Sequence, residues 1–469
     1  VRRVLGFVCA LTFTVAAHAQ PAVTVTLVPQ DVGPEIPDDF VGLSFGMKAL
    51  PGNRAGAHLF SATNHSLVAI FQNVGIRHLR VGGTTVESPP STPIPNEADI
   101  DSLFGFARAA GVKKIIYSLR LLQTNAACHY EQTNAAIARY IWEHYQPQLQ
   151  AFAIGNEPDL QRVFKQDYII RDFDTYISQW NAFAHVITNA VPAARFVGPD
   201  AGSGNAGWSA RFGAAEKAGG LVGELAMHYY AGGRGKGVSA GDGLEAMLSA
   251  EWLTNYGALH RKIAAIGNPF RFTEANDHYS GGIPDASDTF AGALWALDFL
   301  HWWAAHGARG VDFHNTQWVV SDVVTPTSDG RFKINPKGYG LKAFDLGSHG
   351  RAQAVKLSQT QPVSLTAYAV AGTDATWVTV INKEHGTNAA PVDVAILVPG
   401  AGEAKVMRLL SPHNNVAAKE DVTLGGDVIR DNAAFAGQWT PLPAEAPGRF
   451  TLKLAPASAA VVQLISSNP

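Results

Sequence analysis

Between residues 40 and 346 the chain repeats one pattern eight times: an apolar run of strand length, then a longer stretch of helical periodicity. The apolar runs fall at 40–45, 76–81, 112–119, 149–154, 195–197, 221–227, 269–273 and 310–313. The helical stretches fall at 58–74, 99–110, 132–145, 168–190, 209–219, 243–266, 287–306 and 335–346. Strands that follow one another through a helix lie parallel, because only a crossover of a dozen or more residues returns the chain to the same end of a sheet. Eight such units in about 300 residues suit an α/β fold, the (β/α)8 TIM barrel. After about residue 350 the pattern changes to short β-rich runs at 352–357, 363–370, 375–382, 392–397, 404–410 and 459–465, broken by Gly, Pro and Asn. These predict a C-terminal antiparallel β-sandwich domain over 348–469. Residues 22–28 alternate as a strand but precede the barrel, so the segment 20–38 is expected to join that β domain, leaving 39–347 for the barrel.

Residues 1–19 read as a signal peptide: Arg2 and Arg3, an apolar stretch over 4–15, and the cleavage site Ala17-His18-Ala19. The stretch is too short to span a bilayer, which needs about 20 apolar residues, so no membrane association is expected after cleavage. The expected location is periplasmic or secreted. Cys9 leaves with the peptide, and Cys128 remains as a single thiol, so neither a disulfide scaffold nor a cysteine metal site is expected. With 36 basic against 39 acidic residues, the chain carries no electrostatic footprint for nucleic acid. The 16 histidines are scattered without a His-x-x-x-His pair, so no catalytic metal and no cofactor are expected. Gly232-Gly233-Arg234-Gly235-Lys236-Gly237 lacks the Ser or Thr and the spacing of a phosphate loop and reads as a loop that could line a cleft.

In such a barrel the loops after each strand build the active face. The fourth run ends in Asn156-Glu157-Pro158 and the seventh in Thr273-Glu274, on strands that lie across the mouth from each other. Two facing carboxylates are what cleavage of a glycosidic bond requires: one protonates the departing oxygen and the other attacks or stabilises the anomeric carbon. One must carry a proton while the other is ionised, which repulsion and unequal burial can arrange. Glu157 is assigned as acid/base and Glu274 as nucleophile. Asn156 is expected to hydrogen-bond the sugar 2-hydroxyl, an interaction that strengthens as oxocarbenium character develops.

Other rim residues take secondary roles. The hydroxyl of Tyr229, beside His228 at the end of the sixth run, is expected to orient the nucleophile, with aromatic packing as the alternative. Glu87, on the loop after the second run, is a candidate for binding sugar hydroxyls. Trp318 is a candidate stacking platform for a sugar ring or aromatic aglycone. Arg80 and Arg120 sit near strand ends, to pair with carboxylates or to serve the fold.

The segments Ile154-Gly155-Asn156-Glu157-Pro158 and Phe272-Thr273-Glu274 do not stand alone. They occur with Phe40-Val41-Gly42-Leu43-Ser44-Phe45, Leu79-Arg80-Val81-Gly82-Gly83-Thr84 and Met227-His228-Tyr229-Tyr230. Together they resemble the clan A retaining glycoside hydrolases and, within that clan, family 79, the β-glucuronidases and heparanases. The resemblance spans the barrel and the β domain. It implies retention through a glycosyl-enzyme ester on Glu274, with carboxyl groups about 5 to 5.5 Å apart. Asn276-Asp277-His278-Tyr279-Ser280-Gly281-Gly282 is similar to the segment with which bacterial members hold a uronic-acid carboxylate, and so implies that role for Tyr279 and Gly281. Two positions depart from the family. Gly46 stands where relatives carry an acidic residue, and the stretch 319–326 lacks a second carboxylate-binding tyrosine.

The resulting expectation is an exported retaining β-glycoside hydrolase, a β-glucuronidase whose partner is a glycoside or oligosaccharide substrate. A retaining β-glucosidase or diglycosidase of the same clan, or a glycan-binding protein without hydrolysis, is the alternative.

Overall fold

The computed structural model describes residues 22–88, 92–122, 129–160, 170, 172–316 and 319–466. The expected signal peptide, Cys128 and Trp318 lie outside the described residues. Strand β1 (Val23–Glu35) precedes the eight barrel strands β2 (Val41–Gly46), β3 (His78–Gly82), β4 (Lys114–Leu119), β5 (Leu149–Ile154), β6 (Phe196–Ala201), β7 (Val222–Tyr230), β8 (Phe270–Asn276) and β9 (Ala308–His314). The eight close into a parallel barrel in chain order, sealed where Val41 of β2 pairs with Val311 of β9. The eight apolar runs of the sequence are these eight strands, buried on both faces because helices cover the outside and side chains fill the inside.

The helices are α1 (His65–Val74), α2 (Glu97–Ala110), α3 (Tyr130–Tyr145), α4 (Phe173–Ala190), α5 (Ala206–Glu216), α6 (Ala240–Leu248), α7 (Glu251–Ala264), α8 (Phe290–Ala305) and α9 (Lys337–Gly347). Their ends follow from local chemistry. The Asn96 side chain accepts from the Asp99 N–H while Asp99 reaches back to the Asn96 N–H, a capping box that starts α2. The single helix expected over 243–266 is two, α6 and α7, because Ser249 turns extended at ψ 140° and its hydroxyl accepts from the Glu251 N–H. Helix α8 is buried around nearly its whole circumference, lying between the barrel and the β domain.

The floor of the barrel is polar and closely fitted. His78 Nδ1 lies 2.6 Å from Asp312 Oδ1, and Arg271 donates to Glu224. Gly42 is required here, since a Cβ would stand 1.8 Å from the Asp312 carboxylate.

A two-stranded ribbon, β10 (Val324–Pro326) with β11 (Phe332–Ile334), leads into α9. The β domain follows: β12 (Arg351–Gln359), β13 (Leu365–Ala371), β14 (Thr376–Asn382), β15 (Val392–Leu397), β16 (Ala401–Leu410), β17 (Thr423–Leu424), β18 (Thr440–Leu442), β19 (Ala444–Ala446), β20 (Arg449–Leu454) and β21 (Ser458–Ser466). Strand β1 completes it, antiparallel to β12 and parallel to β15. Its hydrogen bonding runs unbroken through eleven strands. Val25, Val380, Ile396, Phe450 and Val462, from strands far apart in that order, nevertheless share one core cluster, so the two layers arise from a sheet folding back on itself.

Candidate active site

The chain leaves β5 through Gly155, at φ 93°, and Asn156, so that Glu157 sits at the mouth in a left-handed conformation, φ 45°. Such a backbone costs a non-glycine residue about 1–2 kcal/mol and needs support. The support is a hydrogen bond from the Glu157 N–H to the carbonyl of Asp200, 2.9 Å, near the end of β6. Asp200 is itself left-handed, φ 53°. On β8 the pairing with β9 slips between Phe272 and Ala275. Such an irregularity re-aims side chains, and here both Thr273 and Glu274 reach polar partners inside the mouth.

A carboxylate oxygen of Glu157, one of Glu274 and a ring nitrogen of His228 lie within 4.8 Å of one another. Both carboxylates are accessible, their side chains 15% and 9% exposed. Arg80, wholly buried on β3, is the hub beneath them. Its guanidinium donates to Glu274 Oε2 at 3.0 Å, Asp200 Oδ2 at 2.8 Å, Asn156 Oδ1 at 2.7 Å and Ser44 Oγ at 3.3 Å. Tyr230 donates from its hydroxyl to Glu274 Oε1 at 2.8 Å. His314, the last residue of β9, stands 3.5 Å from Glu274 Oε2, and His228 Nδ1 lies 3.0 Å from Glu157 Oε1. Thr273 donates to Asp200 Oδ1 at 2.5 Å, joining the residue before Glu274 to the same acid.

Burial alone would raise the pKa of Glu274, but His314, His228, Arg80 and the Tyr230 hydroxyl together hold it well below the usual carboxylate range. Glu274 is therefore ionised at any ordinary pH. Burial pushes the Tyr230 hydroxyl far up, reinforced by Glu274, so it stays a donor. Burial would lower His228, yet the surrounding carboxylates of Glu274, Glu157 and Asp200 raise it. The three groups within 4.8 Å also have the spacing of a metal site. Arg80, hydrogen-bonded to Glu274, already supplies the positive charge these acids need.

The residues singled out in the sequence distribute as follows. Glu157, Glu274 and Asn156 meet in one network through Arg80 and His228. Tyr229 does not reach Glu274. Adjacent strand residues face opposite sides, and with His228 and Tyr230 turned inward, Tyr229 packs outward against Phe272, Phe299 and Trp303. Its expected role falls to Tyr230. Glu87 is buried, and its carboxylate accepts the N–H groups of Leu121 and Leu122 at 3.0 and 2.9 Å and so holds the loop after β4. Arg120 likewise serves loops, donating to the carbonyls of Val86 and Thr92.

Tyr279 is 41% exposed, and its ring stands edge-on to Tyr230, 6.1 Å between centroids. Its backbone bridges to Arg234 of the glycine-rich loop, which thereby borders the mouth. Gly281 is left-handed at φ 90°, a conformation glycine adopts without a Cβ penalty, and its carbonyl accepts from the Ser321 N–H. Asp200, Tyr230 and His314 were not singled out from sequence. Tyr230 was within reach of strict alternation from His228, whereas Asp200 follows a three-residue apolar run with no motif around it.

No protein-family model matches this chain, and no curated protein matches it in sequence. Solved structures match it in fold. A 4-O-α-L-rhamnosyl-β-D-glucuronidase from Fusarium oxysporum 12S, in complex with Rha-GlcA, is 18% identical over 94% of this chain and 100% of that one, with a TM-score of 0.71. A family 51 α-L-arabinofuranosidase from Bifidobacterium longum is 15% identical over 95% and 100%, TM-score 0.68. A family 30 endoxylanase from Clostridium papyrosolvens is 15% identical over 95% and 100%, TM-score 0.58. The likeness is one of fold: a barrel with an appended β domain that glycoside hydrolases of several families share.

Proposed function

We propose that the protein is an exported retaining β-glycoside hydrolase that acts on β-glucuronides. The observation that carries the hydrolase reading is the pair of carboxylates at the mouth, with oxygens within 4.8 Å, one of them held ionised by Arg80, His314, His228 and Tyr230. Inverting enzymes keep their carboxyl groups about 6.5–9.5 Å apart to admit a water, and retaining ones about 5–5.5 Å.

In the first step Glu157 gives its proton to the glycosidic oxygen, the C1–O bond breaks with its electron pair leaving on that oxygen, and a Glu274 oxygen bonds to C1. In the second step water adds to C1 from the side the aglycone left, its proton passes to Glu157, and the ester bond to Glu274 breaks. Tyr230 donates to one Glu274 oxygen and Arg80 to the other. Both aim the carboxylate, and both stabilise it again as it departs.

The uronate preference is supported by Tyr279 beside Tyr230, by the Gly281 turn, and by the exposed cation Arg234 bridged to Tyr279. It draws further support from the fold likeness to an enzyme described as a glucuronidase. Gly46 and the absent second tyrosine favour the second reading, a neutral β-glucosidase or diglycosidase. Hydrolysis of matched aryl β-glucuronide and aryl β-glucoside by the purified protein, with Glu274→Gln as blank, decides between them. The expected result is preference for the glucuronide and no turnover by the variant. Preference for the glucoside transfers the protein to the second reading, and turnover unaffected by Glu274→Gln removes both.

A further inference from the structure

His314 ends β9, and its backbone is fixed from both neighbouring strands. Its carbonyl accepts from the Asn276 side chain of β8 at 3.1 Å, and the next N–H, of Asn315, donates to the Ser44 carbonyl of β2 at 2.7 Å. The ring is thereby held with Nδ1 3.5 Å from Glu274 Oε2 and 3.5 Å from Ser44 Oγ. Its side chain is 20% exposed and lines a groove that opens beside the mouth, so the ring can exchange a proton with solvent.

Three basic side chains surround Glu274, and they differ in what else they hold. Arg80 divides its charge between Glu274 and Asp200. His228 faces Glu157, Asp200 and Glu274. His314 has Glu274 as its only carboxylate partner among the described residues. Arg80 meets it only through Ser44 Oγ, which accepts from the guanidinium at 3.3 Å. Asp322, on the loop after β9, is taken up by the N–H groups of Thr316 and Val319, and Lys48 lines the same groove.

That difference bears on the reaction because Glu274 changes charge during it. In the first step its carboxylate bonds to C1 and the negative charge is lost. In the second, water adds to C1, its proton passes to Glu157, and the electron pair of the C1–O bond returns to Glu274. Arg80 keeps Asp200 as an anionic partner throughout, and His228 keeps Asp200 and Glu157. His314 has no anion while the ester stands and regains one when it breaks. A cation that interacts with only one of two states favours that state. A protonated His314 therefore resists formation of the ester and assists its cleavage, giving up no proton in either step.

We infer that His314 is a positioning residue for the second step, stabilising the Glu274 carboxylate as it leaves C1 and so keeping the glycosyl-enzyme from accumulating. The inference rests on the retaining-hydrolase reading and deepens it by assigning a residue to one of its two steps.

The test follows a dinitrophenyl β-glycoside of the preferred sugar, whose leaving group departs readily, at about pH 5.5, on the acid side of the ordinary imidazole titration. His314→Gln is expected to release a burst of dinitrophenolate larger than that of the unaltered protein and then turn over slowly. Its kcat should fall about tenfold or more and KM by a similar factor, leaving kcat/KM within about threefold. Mass analysis of the intact variant during turnover should show the glycosyl adduct. Methanol, which attacks C1 in place of water, should speed its steady release. His314→Lys, which keeps a cation at the position, should show a smaller burst and a higher kcat than His314→Gln. A fall of kcat and kcat/KM together without a burst, or equal behaviour of the two variants, would overturn the inference and leave the hydrolase reading standing. No Glu274-dependent turnover by the unaltered protein would overturn both.

Discussion

Asp200 supports both glutamates of the mouth from one position: its carbonyl holds the Glu157 N–H, and its carboxylate engages Arg80 and Thr273, which adjoin Glu274. Asp200→Asn leaves the carbonyl in place and removes the charge, so Arg80 keeps its ion pair with Glu274 and loses the one with Asp200. Hydrogen bonds to charged groups contribute about 1.5–3 kcal/mol, and kcat is expected to fall about 10- to 100-fold with KM little changed. A merely structural role would not move the pH profile. Here the acid limb of kcat/KM should shift to lower pH, because a negative neighbour of Glu274 is gone. Tyr230→Phe has the opposite sign. Glu274 is active when ionised and its pKa is depressed, so activity is lost only as pH falls through that low value. Without the Tyr230 hydroxyl the pKa rises and the loss begins at higher pH, with kcat down about 10- to 100-fold. Tyr229→Phe, in the outer aromatic packing, should leave the acid limb where it is. That contrast also shows what was legible at this scale. The glutamates stand out because their strands end at them, while Tyr229 and Tyr230 are separated only by which face of the strand each occupies, a distinction a motif does not carry.

The end of β8 is held by an element far away in the chain. Lys337, at the first turn of α9, is wholly buried and donates to Asn276 Oδ1 at 2.5 Å, Asp277 Oδ1 at 3.0 Å and the Ser321 carbonyl at 2.9 Å. It thereby pins Asn276, the last residue of the strand that carries Glu274, and Asp277 just after it. Burial would raise Asp277, but Lys337 and its other partners hold it far below the usual range. A carboxylate with a depressed folded pKa adds stability above its unfolded pKa, about 3.9, and loses it as pH falls through the folded value. Lys337→Met leaves that carboxylate buried without its cation, at a cost of about 3–5 kcal/mol. The melting temperature at pH 7 is expected to drop, and the gap to the unaltered protein to narrow as pH falls toward 4, where the variant's Asp277 takes up a proton. A gap independent of pH would show that the loss is one of packing alone. No sequence period announces this tie, since it joins a strand end to a helix start 60 residues later.

One buried cluster runs from the barrel into the β domain, beside the β domain's own core. Leu341 and Phe344 of α9 belong to the same buried cluster as Ile381 of β14, Met407 of β16 and Val461 of β21. The sequence makes the two architectures readable separately, because a run-and-helix repeat and a succession of short strands have different periods. It does not reveal their joint, which depends on α8 being apolar on nearly every side and therefore buried from two directions. At that joint lies one polar cluster. Asp298 of α8 accepts from Lys383 at 2.5 Å, Thr366 at 2.6 Å and Tyr368 at 2.7 Å, all from the β domain. Lys383→Met leaves Asp298 buried with its two hydroxyl donors and no cation, which is expected to cost about 3–5 kcal/mol. Because the apolar core crosses the joint, the loss should be felt by both parts together. Near-ultraviolet circular dichroism, to which the tryptophans of α8 contribute among the other aromatic residues, and residual hydrolysis should then fall at one lowered temperature in a single transition. Two separate transitions, with activity surviving the first, would mean that the barrel holds its active site without the sheet packed against it.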